Sequence, residues 1–517
     1  MHSEAPDPTA FPRHRLLHRA VRRRLNPRIR RSDITVTDER VVKRAVKAAA
    51  LGNAMEWFDF GIYAYLTVTI GHVFYSGASD GVQTLASFGT FAVSFLVRPL
   101  GGMFFGPLGD RVGRKKVLAL TMMLMAAGTF AIGLIPSYDA IGVWAPILLI
   151  LCRLVQGFST GGEYGGAATF IAEYAPDKRR GFFGSFLELG TLAGYTFAAG
   201  LVLLLTTALG DSGMEAWGWR VPFLIGGPIG IVGLYLRMRL DETPAFRKLE
   251  AEQSRATRTG EPEAGTSAES AGDAAEAPGR SGPALSEDVP QKELKEIFGA
   301  HWRTMVQCIS LVAAYNVAHY MLLTYMPTYV EETLDYPESM ELVSTIVTMA
   351  VMMTAIIHIG RRSDRVGRKP LLMTGMVGFL VLTVPAFLLF QQGGTLAIFG
   401  GMFLLGGCLV CLLGTMSATL PALFSTEVRY GSLAIGYNLS ASLFGGTTPV
   451  VMEALVNSTG NKLAPAFYTT GFAVVGIISV LCLKETARKP LDGSPPSVAT
   501  KEEAETMARE QAPTPAF

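Results

Sequence analysis

The sequence predicts an all-α polytopic membrane protein whose twelve transmembrane helices form two similar halves of six. Three observations predict this fold: an apolar composition, twelve long apolar runs, and one motif that recurs six runs later. Of the 517 residues, 49% are hydrophobic and 17% are charged, whereas soluble domains carry about 25% charged residues. A soluble chain of this composition would expose large apolar surfaces, so the composition favours a membrane protein.

Twelve apolar runs in the sequence are each long enough to cross a bilayer, which takes about 20 apolar residues in a helix. The chain is therefore expected to span the membrane twelve times. The runs cover residues 46–71, 83–108, 117–136, 145–172, 182–207, 219–238, 303–328, 341–360, 371–390, 396–422, 431–456 and 464–483.

Basic residues are distributed unevenly between the loops that join these runs. Thirteen lysines and arginines lie in the four loops after the second, fourth, eighth and tenth runs, whereas the six loops on the other side contain one, Lys462. Cytoplasmic loops carry an excess of lysine and arginine. The pattern predicts a multi-pass plasma-membrane protein with the basic loops, both termini and the long central loop in the cytoplasm.

The chain divides into five regions by composition. Nine arginines lie between Arg13 and Arg31, so the N-terminal arm is expected to contact anionic lipid headgroups, and nucleic acid is not expected as a partner. No aromatic residue occurs between Ala251 and Pro290, and such a segment buries too little surface to fold alone. The predicted regions are an arginine-rich cytoplasmic arm (1–44), a six-helix bundle (45–240), a flexible cytoplasmic loop (241–297), a second six-helix bundle (298–486) and a disordered cytoplasmic tail (487–517).

One internal repeat relates the two bundles. Residues 110–115 and 364–369 both read Asp-Arg-Val-Gly-Arg-Lys, and each copy follows the second span of its half. Parallel repeats of this kind place the substrate between the halves, near the bilayer midplane. Glycine allows a tight turn, and aspartate stabilises a helix N-terminus. The repeated glycines and aspartate therefore favour a gating role for this loop. The alternative is that its basic residues only set the membrane topology. The predicted gating residues are Gly106, Asp110, Arg111, Gly113, Arg114, Asp364, Arg365, Gly367 and Arg368.

The repeated loop motif resembles that of the major facilitator superfamily. Within that superfamily, Leu51–Gly61, Gln156–Tyr164 and Trp217–Phe223 resemble the metabolite–proton symporter family. Tyr320–Pro327 and Thr419–Phe424 are similar to the branch of that family that imports osmoprotectants such as proline and glycine betaine. The resemblance implies the major facilitator fold and proton-coupled import of a zwitterionic osmolyte by alternating access, with no cofactor.

Several ionisable residues lie inside the predicted spans, where a charge costs about 2.5–3.5 kcal/mol on insertion scales. Such residues must face a partner or a wet cavity, so they are candidates for proton coupling. Glu56, Asp59 and Glu163 are the first candidates for proton carriers, with Arg153 as their counter-charge. Glu188 is a candidate gate residue, whereas a structural role is expected for Arg98 and a solvated position for Glu453. The alternative for each residue is a fixed ion pair that only ties helices together.

Helical spacing places polar and aromatic side chains of the first and fourth spans on one face of each helix. Carboxylates outnumber mid-span cations, which favours a zwitterion over a di- or tricarboxylate as substrate. Aromatic faces hold a quaternary ammonium by cation–π attraction of about 0.5–2 kcal/mol. The predicted substrate-binding residues are Asn53, Trp57, Phe60, Tyr63, Gln156, Tyr164, Tyr315, Asn316, His319 and Tyr320.

Three other functions remain open at this stage. The first is a proton symporter of a carboxylate metabolite of the 2-oxoglutarate, shikimate or citrate type. The others are a drug-efflux antiporter and an osmosensor that binds its ligand without transporting it. The sequence contains no phosphate-binding P-loop and no complete set of zinc ligands at the usual spacing, so an enzyme, a metal site and ATP-driven transport are not expected.

Overall fold

The computed structural model describes residues 31, 34–112, 114–161, 163–238, 302–426 and 428–510. Most of the predicted N-terminal arm, the predicted central loop 241–297 and the last seven residues lie outside the described residues. The described part of the chain is almost entirely helical, and we number its twelve long helical segments α1 to α12.

The first half contains α1 to α6, of which α1, α2 and α4 are each interrupted once. Helix α1 begins at Glu39, earlier than predicted, because the Asp38 side chain accepts a hydrogen bond from the Arg40 amide and caps the helix. The helices are α1 (Glu39–Tyr65, then Thr67–Phe74), α2 (Asp80–Leu96, then Arg98–Val112), α3 (Arg114–Leu134), α4 (Trp144–Ser159, then Glu163–Tyr174), α5 (Arg180–Gly213) and α6 (Arg220–Met238).

The second half repeats this arrangement with α7 to α12. Two of its helices contain π-helical segments, which lie at Met321–Tyr325 and Tyr329–Thr333 in α7 and at Ala441–Gly445 in α11. π-Helical segments are rare in proteins, and those that occur often lie at functional sites. The helices are α7 (Trp302–Thr333), α8 (Glu338–Val366), α9 (Arg368–Phe390), α10 (Thr395–Thr419), α11 (Arg429–Thr459) and α12 (Ala464–Cys482).

The helices agree with the twelve predicted spans. Within the described residues, nine helical stretches are long and apolar enough to cross a membrane, and two shorter apolar helices lie at Ala119–Leu134 and Arg220–Gly233. Together with α1, these stretches make twelve helices. Glu56 and Asp59 reduce the apolar character of α1. The prediction of an all-α membrane protein with two six-helix halves is confirmed.

Helices α2 and α4 approach each other closely in the first half. A Cβ atom on Gly157 would overlap the Ser94 carbonyl, and one on Gly161 would overlap the Arg98 carbonyl. Small residues at four-residue spacing allow such backbone contact in membrane helices. The contact therefore places α2, which carries Arg98, directly against α4, which carries Arg153.

The chain ends are joined on the side of the basic loops, which we call the basic face. Strand β1 (Thr35–Val36) pairs in parallel with β2 (Ser497–Val498), and α13 (Lys501–Glu510) follows. Ile34, Val498 and Ala504 form a small apolar core. We call residues 34–37 together with 488–510 the strap. The prediction of a disordered tail was therefore wrong for residues up to 510, because the apolar partner of the tail, Ile34, lies at the other end of the chain.

The strap contacts both halves of the molecule. Toward the first half, Asp177 Oδ2 accepts a hydrogen bond from the Ser497 amide over 3.0 Å, and Glu503 pairs with Lys178 at 3.6 Å. Toward the second half, Arg429 Nη2 donates to the Asp492 carbonyl over 2.9 Å. The strap therefore bridges the basic face and is able to hold the two halves together there.

Replacing Val498 by aspartate is expected to release the strap. Burying a valine contributes about 1.5–3 kcal/mol, and a carboxylate without a cation partner cannot occupy that site. Limited proteolysis should then cleave the region 488–510 faster than in the wild type, while the helical content of the bundle stays unchanged. The matched control is Val36→Asp in the paired strand, because Val36 is 41% exposed. Equal protection of the tail in both variants would contradict this account of the strap.

Candidate functional site

Four rings from both halves meet at the centre of the molecule. Trp57 of α1 and Tyr195 of α5 come from the first half, and His319 and Tyr320 of α7 come from the second. Their ring centroids lie 5.1 to 6.0 Å apart in five of the six pairs, and all four side chains are buried. We call these four residues the aromatic cluster. The aromatic cluster therefore joins rings from both halves of the molecule.

Hydrogen bonds between the halves lie between the aromatic cluster and one face of the molecule. On the side opposite the basic face, the Tyr65 hydroxyl donates to the Leu323 carbonyl over 3.2 Å, and Asn457 Nδ2 donates to the Gly81 carbonyl over 3.3 Å. Both bonds join one half to the other. Separation of the halves on this side therefore requires that both bonds break.

Asn53 fixes the orientation of Trp57. Its Nδ2 donates to the Leu187 carbonyl over 2.8 Å and to Thr191 Oγ1 over 2.6 Å, which attaches α1 to α5. Its Oδ1 accepts a hydrogen bond from Trp57 Nε1 over 3.1 Å. The predicted residue Asn53 thus positions the indole ring by using both ends of its amide.

Arg98 and Glu56 form a buried ion pair next to the aromatic cluster. Arg98 Nη2 lies 3.4 Å from Glu56 Oε1, and both side chains are almost fully buried. The guanidinium lies over Phe60 and Phe95, 4.5 and 4.1 Å from their ring centroids. Within the described part of the chain, its Nε atom has no hydrogen-bond partner, and its Nη2 atom faces Glu56 without the geometry of a hydrogen bond. The arginine therefore has unused donor capacity in a buried position.

The purely structural role expected for Arg98 does not account for these donors. The sequence analysis named Arg153 as the counter-charge and expected a structural role for Arg98. The signal that favours Arg98 was present, since it lies well inside the predicted span 83–108. Its position relative to Glu56 depends on the packing of α1 against α2, which the spacing within one helix does not specify.

Arg153 and Asp59 belong to a separate network inside the first half. Arg153 Nη1 donates to Gln156 Oε1 over 3.0 Å, and Gln156 Nε2 donates to Thr129 Oγ1 over 2.7 Å. Thr129 in turn donates to Asp59 Oδ2 over 2.9 Å. The expected pairing of Arg153 with a carboxylate is thus indirect, through two neutral side chains. Tyr63 lies beneath the Arg153 guanidinium at 4.2 Å.

Glu188 of α5 is bonded by hydroxyl groups from both halves. Its carboxylate accepts from the Tyr164 hydroxyl over 2.5 Å and from Thr191 Oγ1 over 3.2 Å in the first half. It also accepts from the Tyr315 hydroxyl of the second half over 3.2 Å. The Tyr164 ring stacks on Tyr437 of the second half with centroids 4.1 Å apart. Glu188 is therefore a buried carboxylate whose surroundings change when the halves separate.

The predicted residues divide into three groups. Those brought together around the halves' interface are Asn53, Glu56, Trp57, Phe60, Tyr164, Glu188, Tyr315, Asn316, His319 and Tyr320. Asp59, Tyr63, Arg153 and Gln156 lie in the interior of the first half. The side chain of Glu163 lies outside the described residues, so its predicted proton-coupling role stays a prediction.

Sequence reasoning missed Tyr195, which contacts Trp57 and donates or accepts a hydrogen bond with Thr324 Oγ1 of the second half at 3.1 Å. A signal was available, because Tyr195 follows Glu188 by seven residues and positions i and i+7 share a helix face. The solvated position expected for Glu453 was wrong. This carboxylate is buried, since Tyr325 and Asn457 donate hydrogen bonds to it over 3.3 and 3.0 Å.

The second copy of the repeated loop motif joins the halves at the basic face. Asp364 Oδ1 and Oδ2 accept hydrogen bonds from the amides of Gly181 and Phe182 over 2.7 and 2.8 Å. These amides begin α5, so the carboxylate of one half stabilises the positive N-terminal end of a helix in the other. Arg429 and Glu173 add an ion pair of 2.9 Å between the halves.

The other motif residues of this copy have different surroundings. Gly367 adopts a φ of 115° between α8 and α9, which favours glycine. Arg368 is buried and donates to the Ala418 carbonyl over 2.8 Å, whereas Arg365 is exposed. Glu485 accepts from the amides of Arg368 and Lys369. Burial alone would raise the pKa of Glu485. The hydrogen bonds that its carboxylate accepts from several backbone N–H groups outweigh this effect and hold the pKa below its usual range.

The first copy of the motif lies largely outside the described residues. Gly113 lies outside the described residues, and so do the side chains of Asp110, Arg111 and Arg114 and the surroundings of Gly106. Its predicted gating role therefore stays a prediction.

Two six-helix halves with buried charges and aromatic rings between them define a membrane transporter of the major facilitator fold. The chain belongs to the sugar (and other) transporter family, whose model matches residues 45–496. It is similar to the proton:xylose symporter XylE in its complex with 6-bromo-6-deoxy-D-glucose, with a TM-score of 0.67 over 90% of this chain and 98% of that one. The sequence identity of 17% makes that likeness one of fold alone.

Curated relatives match nearly the whole chain. The proline/betaine transporter of Escherichia coli (strain K12) is 45% identical over 92% of this chain and 90% of its own length. The glycine betaine/proline/ectoine/pipecolic acid transporter of Dickeya dadantii (strain 3937) is 45% identical over 95% of this chain and 92% of its own. The ectoine/proline transporter of Corynebacterium glutamicum is 41% identical over 94% of this chain and 92% of its own.

Replacing Gly181 by alanine is expected to open the basic face. The added Cβ would overlap Ser363 Oγ and lie 2.8 Å from Asp364 Oδ1. Overpacking costs about 1–3 kcal/mol. The population of the closed arrangement relative to the open one should therefore fall about fivefold or more. In a background without the native cysteines, maleimide labelling of Ser417→Cys reports this change, because Ser417 is buried against the Gly184 carbonyl.

The matched control for this experiment is Gly200→Ala. Gly200 belongs to the same helix, and a Cβ atom there meets nothing within 4 Å. We expect its labelling rate to equal that of the parent protein. Unchanged labelling in Gly181→Ala would show that the α5–α8 contact does not hold the basic face closed.

Proposed function

We propose that the chain is a proton-coupled importer of zwitterionic osmolytes such as proline and glycine betaine, working by alternating access. The observation that carries this proposal is the pairing of a buried arginine that has unbonded donors with a cluster of aromatic rings. Arg98 suits the substrate carboxylate, because a hydrogen bond between a guanidinium and a carboxylate is about twice as strong as one between neutral groups. The faces of Trp57 and Tyr320 suit an ammonium group by cation–π attraction. The names of the curated relatives support the same substrates.

In this proposal the basic face is cytoplasmic, as the positive-inside rule predicts. The strap and the Asp364 contact then form the inner gate, and the bonds from Tyr65 and Asn457 form part of the outer gate. The substrate enters when the outer contacts separate and leaves when the inner ones do. Such rocking of two repeats around a central site is the usual mechanism of parallel-repeat transporters.

Glu56 and Glu188 are the proposed proton carriers of the central site. A proton on Glu56 removes its charge and leaves Arg98 free to bind the substrate carboxylate. The hydroxyl groups of Tyr164, Thr191 and Tyr315 stabilise the negative charge of Glu188. A proton on Glu188 neutralises that charge. Both carboxylates therefore respond to the movement of the halves, which is what coupling requires.

The driving force is sufficient for accumulation. A neutral zwitterion that moves with one proton carries one net charge, which is worth about 2.3 kcal/mol per 100 mV. Each pH unit across the membrane adds about 1.4 kcal/mol. A total of about 3–4 kcal/mol concentrates the substrate a few hundredfold.

Uptake by proteoliposomes tests the substrate and the coupling together. We expect purified protein to accumulate labelled proline and glycine betaine when an inwardly directed proton gradient is imposed, and a protonophore to abolish this. Arg98→Gln should lower uptake of both compounds by about tenfold or more, because a charged hydrogen bond is worth about 1.5–3 kcal/mol.

The matched control is Arg303→Gln, because Arg303 is exposed at the start of α7. It should transport like the wild type. Competition by 2-oxoglutarate or shikimate, without competition by proline, would replace our assignment by a carboxylate symporter.

Replacing Glu188 by glutamine is expected to uncouple transport from the proton gradient. The amide keeps the shape of the side chain but cannot gain or lose a proton. Gradient-driven accumulation should therefore fall at least about tenfold, a loss of about 1.4 kcal/mol of coupling, while exchange of labelled for unlabelled substrate continues. Glu215→Gln is the control, since Glu215 is an exposed carboxylate bonded to His72. If Glu188→Gln still concentrates substrate like the wild type, Glu188 carries no coupled proton.

A further inference from the structure

His319 is a buried polar side chain that the rest of the protein leaves unbonded. It lies on α7 with 1% of its surface exposed, and neither Nδ1 nor Nε2 has a hydrogen-bond partner in the described part of the chain. Its ring contacts the rings of Trp57, Tyr315 and Tyr320 at centroid distances of 5.1 to 5.7 Å. Most buried polar groups in proteins are hydrogen-bonded, so this ring requires an explanation.

A structural role explains the ring less well than a binding role. An aromatic side chain such as phenylalanine would fill the same space among these rings without leaving two nitrogens unbonded. A neutral imidazole carries one N–H donor and one acceptor nitrogen. Asn316, one helical turn before His319, likewise has an unbonded and buried Nδ2. Two neighbouring polar groups on one helix thus have hydrogen-bonding capacity that the described residues do not use.

A row of contacting rings, which we call the wall, links Arg98 to His319. The Arg98 guanidinium lies 4.1 Å from the Phe95 centroid, Phe95 lies 5.3 Å from Tyr320, and Tyr320 lies 5.2 Å from His319. A zwitterion that lies along this wall with its carboxylate at Arg98 directs its ammonium toward His319. The wall therefore gives the two ends of the substrate different partners.

We propose that His319 accepts a hydrogen bond from the ammonium N–H of the substrate, and so sets a preference for zwitterions that carry such a hydrogen over quaternary ones. The inference rests on the proposed function, because it names the substrate class of the same site. Cation–π attraction requires a positive charge but no N–H group, so the rings of Trp57 and Tyr320 hold both classes. The imidazole nitrogen bonds only the class with an N–H, and a site built to bond an N–H discriminates against analogues that lack it.

A series of three amino acids isolates this contact. L-Proline carries two hydrogens on its ammonium nitrogen, N-methyl-L-proline carries one, and N,N-dimethyl-L-proline carries none, while the carboxylate and the ring remain the same. We would measure the inhibition of labelled proline and labelled N,N-dimethyl-L-proline uptake by each compound in proteoliposomes. Wild-type protein should bind the two compounds with an N–H more tightly than the dimethyl compound.

His319→Phe keeps an aromatic ring in the cluster and removes the acceptor. We expect the ratio of the proline affinity to the N,N-dimethyl-L-proline affinity to fall about tenfold, which is the effect of one hydrogen bond. His319→Gln restores an acceptor of similar reach and should recover part of the ratio. The control is His358→Phe, because His358 is an exposed histidine on α8 and bonds the Thr354 carbonyl.

Each outcome distinguishes this inference from the proposed function. An unchanged ratio in His319→Phe, or an equal loss of affinity for all three compounds, would overturn the role of His319 while leaving the transport of zwitterions intact. If wild-type protein takes up neither proline nor its dimethyl derivative, the proposed function itself fails. A ratio that falls in His319→Phe and recovers in His319→Gln supports the hydrogen bond.

Discussion

The hydrogen bonds around Glu188 come from both halves of the molecule. Tyr164 and Thr191 belong to the first half and Tyr315 belongs to the second. A buried carboxylate is costly unless its oxygens are bonded, so this arrangement is favourable only while the halves are together. Movement of the second half removes one donor and admits water. In the proposed mechanism, this contact links the charge state of Glu188 to the position of the second half.

The two ends of the interface are closed by different kinds of contact. At the basic face, a carboxylate meets the N-terminus of α5, an ion pair adds to it, and the strap crosses both halves. At the opposite face, the contacts are neutral hydrogen bonds made by Tyr65 and Asn457. Charged contacts near water are weakened by salt, whereas neutral ones are not. The hydrogen bonds of Tyr65 and Asn457 are therefore expected to respond less to salt than the charged contacts of Asp364 and Arg429.

The sequence predicted the helices well and the partners between them less well. Apolar runs and loop charges specify the spans because each is a property of one segment of chain. The network from Arg153 to Asp59, the pairing of Arg98 with Glu56, and the strand pairing of the strap each join residues far apart in the chain. No single segment contains that information. Polar residues inside the spans indicated which helices carry buried polar groups, since each of them needs a partner in the interior.

The pairing of Arg98 with Glu56 explains how a proton and a zwitterion can assist each other in the proposed mechanism. While Glu56 is charged, it competes with the substrate carboxylate for the same guanidinium. Protonation of Glu56 ends that competition, and binding of the substrate carboxylate to Arg98 in turn favours the protonated form of Glu56. Linkage requires that each ligand strengthen the binding of the other by the same factor. A single buried cation shared between a protein carboxylate and a substrate carboxylate is therefore enough to couple the two, without direct contact between proton and substrate.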